Sequence, residues 1–478
     1  MLANRISRDQ KISQFTFAII GGGFTGATLA AQLLRRSAGS VSVLLVERGA
    51  RLGHGVAYGT QCTGHLLNVR ASDMSAYPDD PKHFLEWARL NHDRGVSPDD
   101  YLPRMLYGQY AASVLREQIE RYPGQVEHVQ DEAVCLARMG NKTEICLRSG
   151  RTLLASKVVI ASGNLSPGDP KLPGRTPHSQ RYISNPWTAR ALGDVARDRS
   201  VLIVGSGLTG VDVTITLRQR GFRGTIHMLS RHGLLPQTHK ATAPWPPFWE
   251  NQSPRTVRGL LHLIRIQIDI AEKAGSGWRA VIDSIRPFAQ DIWRCLPHLE
   301  RRRFLRHLRP YWEVHRHRVA PAIGAQFASQ MQNGQIEAHA GRITAYAEDI
   351  DGVDVTYRNR ESAKLDRLRV DRVINCTGPE SDCRKVNDPL LTSLIGERIV
   401  RPDPLFLGLD VSKDGALIDA DGLASDVLYA VGPFRKGTLW ESIAVPELRV
   451  QAAEMATLLL AAENAETAEA LRYEPAAT

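Results

Sequence analysis

The sequence predicts an α/β fold built from two similar parallel-sheet units in series, on three observations. A β-branched apolar run, then G-x-G-x-x-G, then a helix-forming stretch occurs twice: "FAIIGGGFTGATL" from Phe17 to Leu29 and "VLIVGSGLTGVDV" from Val201 to Val213. Downstream of each comes a short strand, a three-stranded meander and an apolar strand, over Gly124 to Asn164 and Gly334 to Pro379. Both of those closing strands end in a small-residue glycine turn, Ala161-Ser162-Gly163 and Cys376-Thr377-Gly378.

Each element has a physical reason. A short, continuous apolar run suits a strand buried on both faces. Gly21 and Gly23 permit a tight turn and bring backbone N–H groups close to a pyrophosphate, while Gly26 lets the next helix pack on its strand. That helix, with Thr25 in its first turn, points its positive end at the phosphates. Gly205, Gly207, Thr209 and Gly210 repeat the arrangement. One such motif is a weak signal; two, each between a predicted strand and helix, define a pair of Rossmann-like dinucleotide-binding domains.

The strand after each loop separates the ligands. "VSVLLVERG" ends in Glu47 and Arg48, about 20 residues on, where a carboxylate accepts hydrogen bonds from ribose hydroxyls. The first site therefore suits FAD or NAD. "TIHMLSRHG" ends in Ser230, Arg231 and His232 with no acid, and Arg231 suits a ribose 2′-phosphate, pointing to NADPH with NADH left open. The expected organisation is residues 1–190 for the first part of the FAD domain, 197–375 for the NAD(P)H domain and 376–478 for a return segment of the FAD domain. Trp278, Val281, Ile282, Ile285, Ile292 and Trp293 recur at helical spacing and predict a helical insertion at about 250–330. One or two of its aromatics are expected at a substrate pocket. Its other face carries Arg301, Arg302, Arg303, Arg306, Arg309, Arg316 and Arg318. With no nucleic-acid motif beside them, these read as a solvated or partner-facing surface.

This order of motifs resembles the two-dinucleotide-binding-domain flavoproteins over nearly the whole chain. "HLLNVRASDMSAYPDDPKHFLEWAR", "GWRAVIDSIRPFAQDIWRCL" and "WEVHRHRVAP" resemble the bacterial FAD/NAD(P)-binding group that includes a flavin-dependent urate hydroxylase and an aspartate N-monooxygenase. Two departures stand out: Arg70 where that group more often has proline, and Gly432-Pro433 where many relatives have G-D. The resemblance implies FAD contacts at Gly163, at Gly432 and at the helix starting near Pro446, whose dipole would stabilise negative charge on the reduced ring. It also implies a monooxygenase that spends NAD(P)H and O2 to place one oxygen atom on a substrate. No catalytic residue is legible. Candidate substrate contacts are His65, Asn68, Arg70, Asp73 and Met74, with loop packing the competing account. A small, polar, anionic substrate is expected. Urate, giving 5-hydroxyisourate, leads; amino-acid N-hydroxylation on aspartate or ornithine is second, and a flavin redox or electron-transfer module without oxygenation is third.

Composition narrows the classes further. The six cysteines form no C-x-x-C, which disfavours a disulfide reductase, and each is expected to be a small buried or half-buried thiol in a reducing compartment. His315 and His317 point to different helix faces, so no metal site is expected. Ser206 lacks the G-x-S-x-G context of a hydrolase nucleophile. Without an apolar run near 18 residues or a signal-like N-terminus, a cytoplasmic protein with no membrane partner is expected. The net charge of +9 favours anionic partners such as dinucleotides. Homo-oligomerisation stays open, and the Ala/Glu-rich C-terminus is expected to be a helix fraying into a tail.

Overall fold

The computed structural model describes residues 14–473 except 189 and 251; the expectations for the extreme N-terminus and the C-terminal tail lie outside them. The first unit runs β1 (Gln14–Ile20), α1 (Phe24–Ser37), β2 (Val43–Glu47), α2 (Gly55–Tyr58), α3 (His83–Asn91), α4 (Arg104–Arg121), β3 (Val126–Gln130), β4 (Ala133–Met139), β5 (Lys142–Leu147) and β6 (Thr152–Ile160). A connector carries β7 (Tyr182–Ile183). The second unit opens with β8 (Val201–Val204), α5 (Leu208–Gln219) and β9 (Ile226–Ser230). Six helices follow: α6 (Val257–Lys273), α7 (Gly277–Ile285), α8 (Ala289–Cys295), α9 (His298–His307), α10 (Arg309–Arg316) and α11 (Pro321–Gln332). Then come β10 (Ile336–Glu348), β11 (Val353–Asn359), β12 (Leu365–Val370) and β13 (Arg372–Asn375). The chain finishes through α12 (Pro389–Gly396), β14 (Ala416–Ile418), β15 (Ala424–Ala430), α13 (Lys436–Leu439) and α14 (Val445–Tyr473).

The predicted α/β class is the observed one, and the two sheets share a plan. Five parallel strands run β15-β6-β1-β2-β3 in one and β7-β13-β8-β9-β10 in the other. β8 is wholly buried and so is β1 from Phe17 to Ile20, as covering both faces of a parallel sheet demands. Each sheet borrows a strand from elsewhere: β15 of the return segment pairs with β6, and the connector's β7 pairs with β13.

The two copies differ in where they are continuous. In the first, β6 spans both the meander and the parallel sheet, pairing with β5 through Thr152 to Ala155 and with β1 through Leu154 to Ile160. In the second it is β10, parallel to β9 up to Ala340 and antiparallel to β11 from Gly341. The closing strand there breaks at Asp371, whose carboxylate accepts Arg181 of the connector at 2.7 Å.

Two cysteine expectations need correction. Cys135 and Cys146 lie opposite each other on β4 and β5 and are joined as a disulfide, with Cα atoms 5.2 Å apart. Antiparallel register created that proximity, which their spacing alone did not disclose. Cys295 is exposed, whereas Cys376 and Cys383 are buried thiols. Among the described residues no helix is long and apolar enough to cross a membrane.

Candidate functional site

Both glycine loops are shaped by the same contact. Gly21 has φ +110° and a Cβ there would collide with the carbonyl oxygen of Ala161; Gly205 has φ +106° and faces the carbonyl of Cys376 in the same way. The strand paired with β1 or β8 on the side away from β2 or β9, β6 in one sheet and β13 in the other, thus sets the shape of its loop. A Cβ on Gly26 would overlap the Gly21 carbonyl, and one on Gly210 would meet Gly205 and Met228, so each helix starts hard against its strand. Gly23 and Gly207 are N-caps of α1 and α5, and neither helix has a side-chain cap. Their first-turn N–H groups are therefore free of side-chain acceptors and suited to a phosphate.

The first loop's surroundings come from distant segments. Glu47, ending β2, accepts the Gly22 N–H at 2.7 Å and the Gly49 N–H at 2.8 Å, which fixes its carboxylate at the lip of the loop. Arg48 points to solvent with Glu132 at 3.8 Å. Gly163, φ +73°, has open space at its would-be Cβ. Gly432, φ +78°, is buried and donates to Gln451 Oε1 at 3.0 Å; a Cβ on it would lie 3.8 Å from Thr25 Oγ1. Thr25, Gly432 and the start of α14, where Pro446 is the second residue, are thereby brought together. Around that start, Ser442 Oγ, Glu447 Oε2, Arg449 Nε and Gln451 Nε2 are buried without a hydrogen-bond partner. Buried polar atoms are normally satisfied, so this cluster fits a polar group such as a flavin ring.

The second loop is more open. No atom lies within 4 Å of a Cβ placed on Gly207. Thr209 is half-buried in the first turn of α5. Ser230 Oγ accepts the Gly233 N–H at 3.0 Å. Arg231 is exposed, and its guanidinium has no hydrogen-bond or ion-pair partner among the described residues. An unengaged arginine at the end of the second strand fits a 2′-phosphate.

The five substrate candidates separate by environment. His65 is buried: Nδ1 meets Thr60 Oγ1 at 2.9 Å, and Nε2 donates to the Asp212 carbonyl at 2.9 Å with Thr216 Oγ1 equally near. Both nitrogens are occupied, so the ring joins the first unit to α5 and offers a substrate no free atom. Met74 is also removed from the candidates, being 2% exposed in the core with Phe84 and Tyr107. Arg70 is exposed and paired with Asp99 at 2.8 Å, a hydrogen bond that raises its pKa. Asp73 is exposed, and Arg449 reaches its backbone carbonyl at 3.5 Å. Asn68 accepts from His239 Nε2 through its carbonyl at 3.0 Å, leaving its amide unassigned. Burial drives His239 down to about 4.

The residues that hold the units together escaped the sequence reading. Arg104 opens α4 and binds Asp212 of α5 at 2.5 Å, with side-chain exposures of 16% and 6%. Arg316 is buried against Glu447 at 3.3 Å and Glu441 at 3.5 Å, and Arg286 joins Glu447 at 3.3 Å. Trp312 Nε1 donates to Glu441, and Trp293 Nε1 to the Gly437 carbonyl. The expected solvated arginine face is thus corrected at Arg316 and at Arg318, which is 2% exposed and paired with Asp283 at 3.0 Å. Acidic partners recruited from elsewhere in the chain explain both. An acid in the first turn of a helix, as Glu447 is in α14, was the one local hint. Between the insertion and Trp440 of the return segment, an apolar cavity of about 270 Å³ is lined by Trp278, Ile282, Trp293, Phe304, Trp312 and Trp440.

The chain has the two-domain fold seen in FAD/NAD(P)-binding flavoproteins. A family model described as FAD-NAD(P)-binding matches residues 18–165. Among solved structures, the reduced form of ornithine hydroxylase from Pseudomonas aeruginosa is similar at 17% identity and TM-score 0.64, covering 94% of this chain and 99% of that one. L-lysine 6-monooxygenase from Pseudomonas syringae matches at 16% identity and TM-score 0.64, with coverage of 94% and 99%. Thioredoxin reductase from Lactococcus lactis matches at 14% identity and TM-score 0.53, with coverage of 94% and 98%. No curated protein matches the chain in sequence.

Proposed function

We propose that this protein is an FAD-dependent monooxygenase that uses NADPH and O2 to N-hydroxylate a small substrate bearing a primary amine. The observation that carries the reading is the pair of unlike dinucleotide cradles, one with Glu47 and one with Arg231, in a fold shared along 94% of the chain with ornithine and lysine hydroxylases. Those two proteins support amine oxidation over urate hydroxylation, the leading expectation from sequence. No cysteine pair lies in α1 or α5, so a disulfide-reducing role has no support there.

Gly21, Gly23, Thr25 and Gly26 would hold the FAD diphosphate, Glu47 its ribose with Arg48 at the rim, and Gly163, Gly432 and Pro446 the flavin end. Gly205, Gly207, Thr209 and Gly210 would hold the NADPH diphosphate, and Ser230 with Arg231 its 2′-phosphate. The corresponding domains are 1–190 with 376–478, and 197–375. Reduced flavin supplies the oxygen activation when bound. The chain excludes water and orients the amine, and the first turn of α14 stabilises negative charge beside it. Asn68, Arg70 and Asp73 stay as substrate contacts within this reading.

The test is to follow NADPH and NADH oxidation by the flavin-loaded protein with ornithine, lysine, aspartate, urate or no acceptor, assaying hydroxylamine and hydrogen peroxide in parallel. NADPH-preferring turnover that yields hydroxylamine with little peroxide is expected. Urate consumption without hydroxylamine would restore the purine reading, and electrons returned wholly as peroxide would favour a redox module.

A further inference from the structure

We propose that His227, Glu337 and His339 form a divalent-metal site, best suited to zinc, on the second sheet. β9 and β10 are parallel neighbours, with His227 opposite Glu337 and His339 two residues further on the same face. Three ligand atoms converge there: His227 Nδ1 lies 3.1 Å from His339 Nε2 and 3.2 Å from Glu337 Oε2, and the third side, His339 Nε2 to Glu337 Oε2, is 3.6 Å. Tetrahedral zinc with ligand bonds near 2.0 Å spaces its ligands by about 3.3 Å. The triangle therefore has the size of one face of such a coordination sphere, with the fourth position left open.

The surroundings prepare His339 for this role. The Tyr357 hydroxyl lies 3.1 Å from His339 Nδ1. Accepting Nδ1–H there, it would hold the tautomer whose Nε2 lone pair faces His227 and Glu337, as an outer partner does for a metal-bound histidine. Both imidazoles are largely buried while Glu337 is half exposed, giving rigid ligands and an approach path. Two imidazole nitrogens and one carboxylate suit zinc better than magnesium or calcium, which prefer oxygen. Strand register, which spaces the ligands, is rigid enough to hold such a site before the ion arrives. The site stands independently of the proposed activity.

The experiment is a Co2+ titration of flavin-loaded protein treated with a chelator, read in the visible ligand-field bands. One Co2+ per chain, an intense tetrahedral spectrum and displacement by Zn2+ are expected. His227→Asn and His339→Asn should abolish the spectrum, and Tyr357→Phe should weaken binding by roughly 10- to 100-fold. If either histidine variant fails to fold by circular dichroism, Glu337→Gln, on a half-exposed side chain, must reduce the affinity instead. No tetrahedral spectrum in the wild type would leave a hydrogen-bonded histidine pair only and overturn the proposal. So would an unchanged spectrum in the foldable variants.

Discussion

Replacing Arg104 with Met tests the joint between the two units. The guanidinium contacts the Asp212 carboxylate at 2.5 Å and the Leu66 carbonyl at 2.9 Å, and Asp212 is only 6% exposed. Removing the cation strands a carboxylate where water barely reaches, which costs about 3–5 kcal/mol when the site is buried. The 16% exposure of Arg104 places the expected loss at the lower end, about 3 kcal/mol. For a unit of this size that lowers Tm by about 6–12 °C. The assay is thermal and urea denaturation in a cycle with Asp212→Leu and the double variant. Leucine removes the stranded charge, so the double variant should recover at least about 2 kcal/mol relative to the sum of the singles. An R104M loss below about 1 kcal/mol, or strictly additive singles, would refute the account.

Three further outcomes concern the loops, and a fourth one histidine. Gly26→Ala places a methyl on the Gly21 carbonyl and should yield protein without flavin, read from its visible absorbance. Gly207→Ala meets open space and should keep flavin and stability within about 1 kcal/mol while raising the KM for NADPH. Arg231→Ser should raise the KM for NADPH by roughly 10- to 150-fold, the worth of a hydrogen bond to a charged group, and leave NADH nearly unchanged. His239 has a folded pKa near 4 because burial opposes its charge, against about 6.5 in the unfolded chain. Between those values the unfolded state binds the extra proton, so stability falls as pH drops from about 6.5 to about 4, by at most about 1.4 kcal/mol per pH unit. Urea midpoints across that window should fall less steeply in His239→Gln.

The glycine loops, the meanders and the helical insertion were legible because each is written in neighbouring residues: a strand, three glycines, a periodic stripe. The positions of Glu47 and Arg231 in the fold were legible for the same reason, one ending the second strand of its copy and the other directly following it. For His65 and Met74 the competing account, loop packing, is the one the surroundings favour, and the sequence could not decide because a loop does not record what packs on it; α5 closes over one and the aromatic core over the other. Arg316 and Arg318 looked solvated because their acids, Glu447, Glu441 and Asp283, belong to other segments. The His227–Glu337–His339 triangle depends on the register of two strands more than a hundred residues apart, and no local pattern announces a register.

The strand that β15 adds beside β6 has a consequence for how the chain matures. Val158, Val159 and Ile160 are wholly buried, and their partners Leu428 to Ala430 emerge from the ribosome about 270 residues later. Until then β6 is an apolar edge with unpaired N–H and C=O groups, a template for intermolecular pairing. The second unit, by contrast, draws all seven strands of its sheet from residues 182–375 and can close during synthesis. A nascent chain halted before residue 416 would therefore carry one finished sheet and one adhesive edge, and its recovery in soluble form would depend on chaperones shielding that edge.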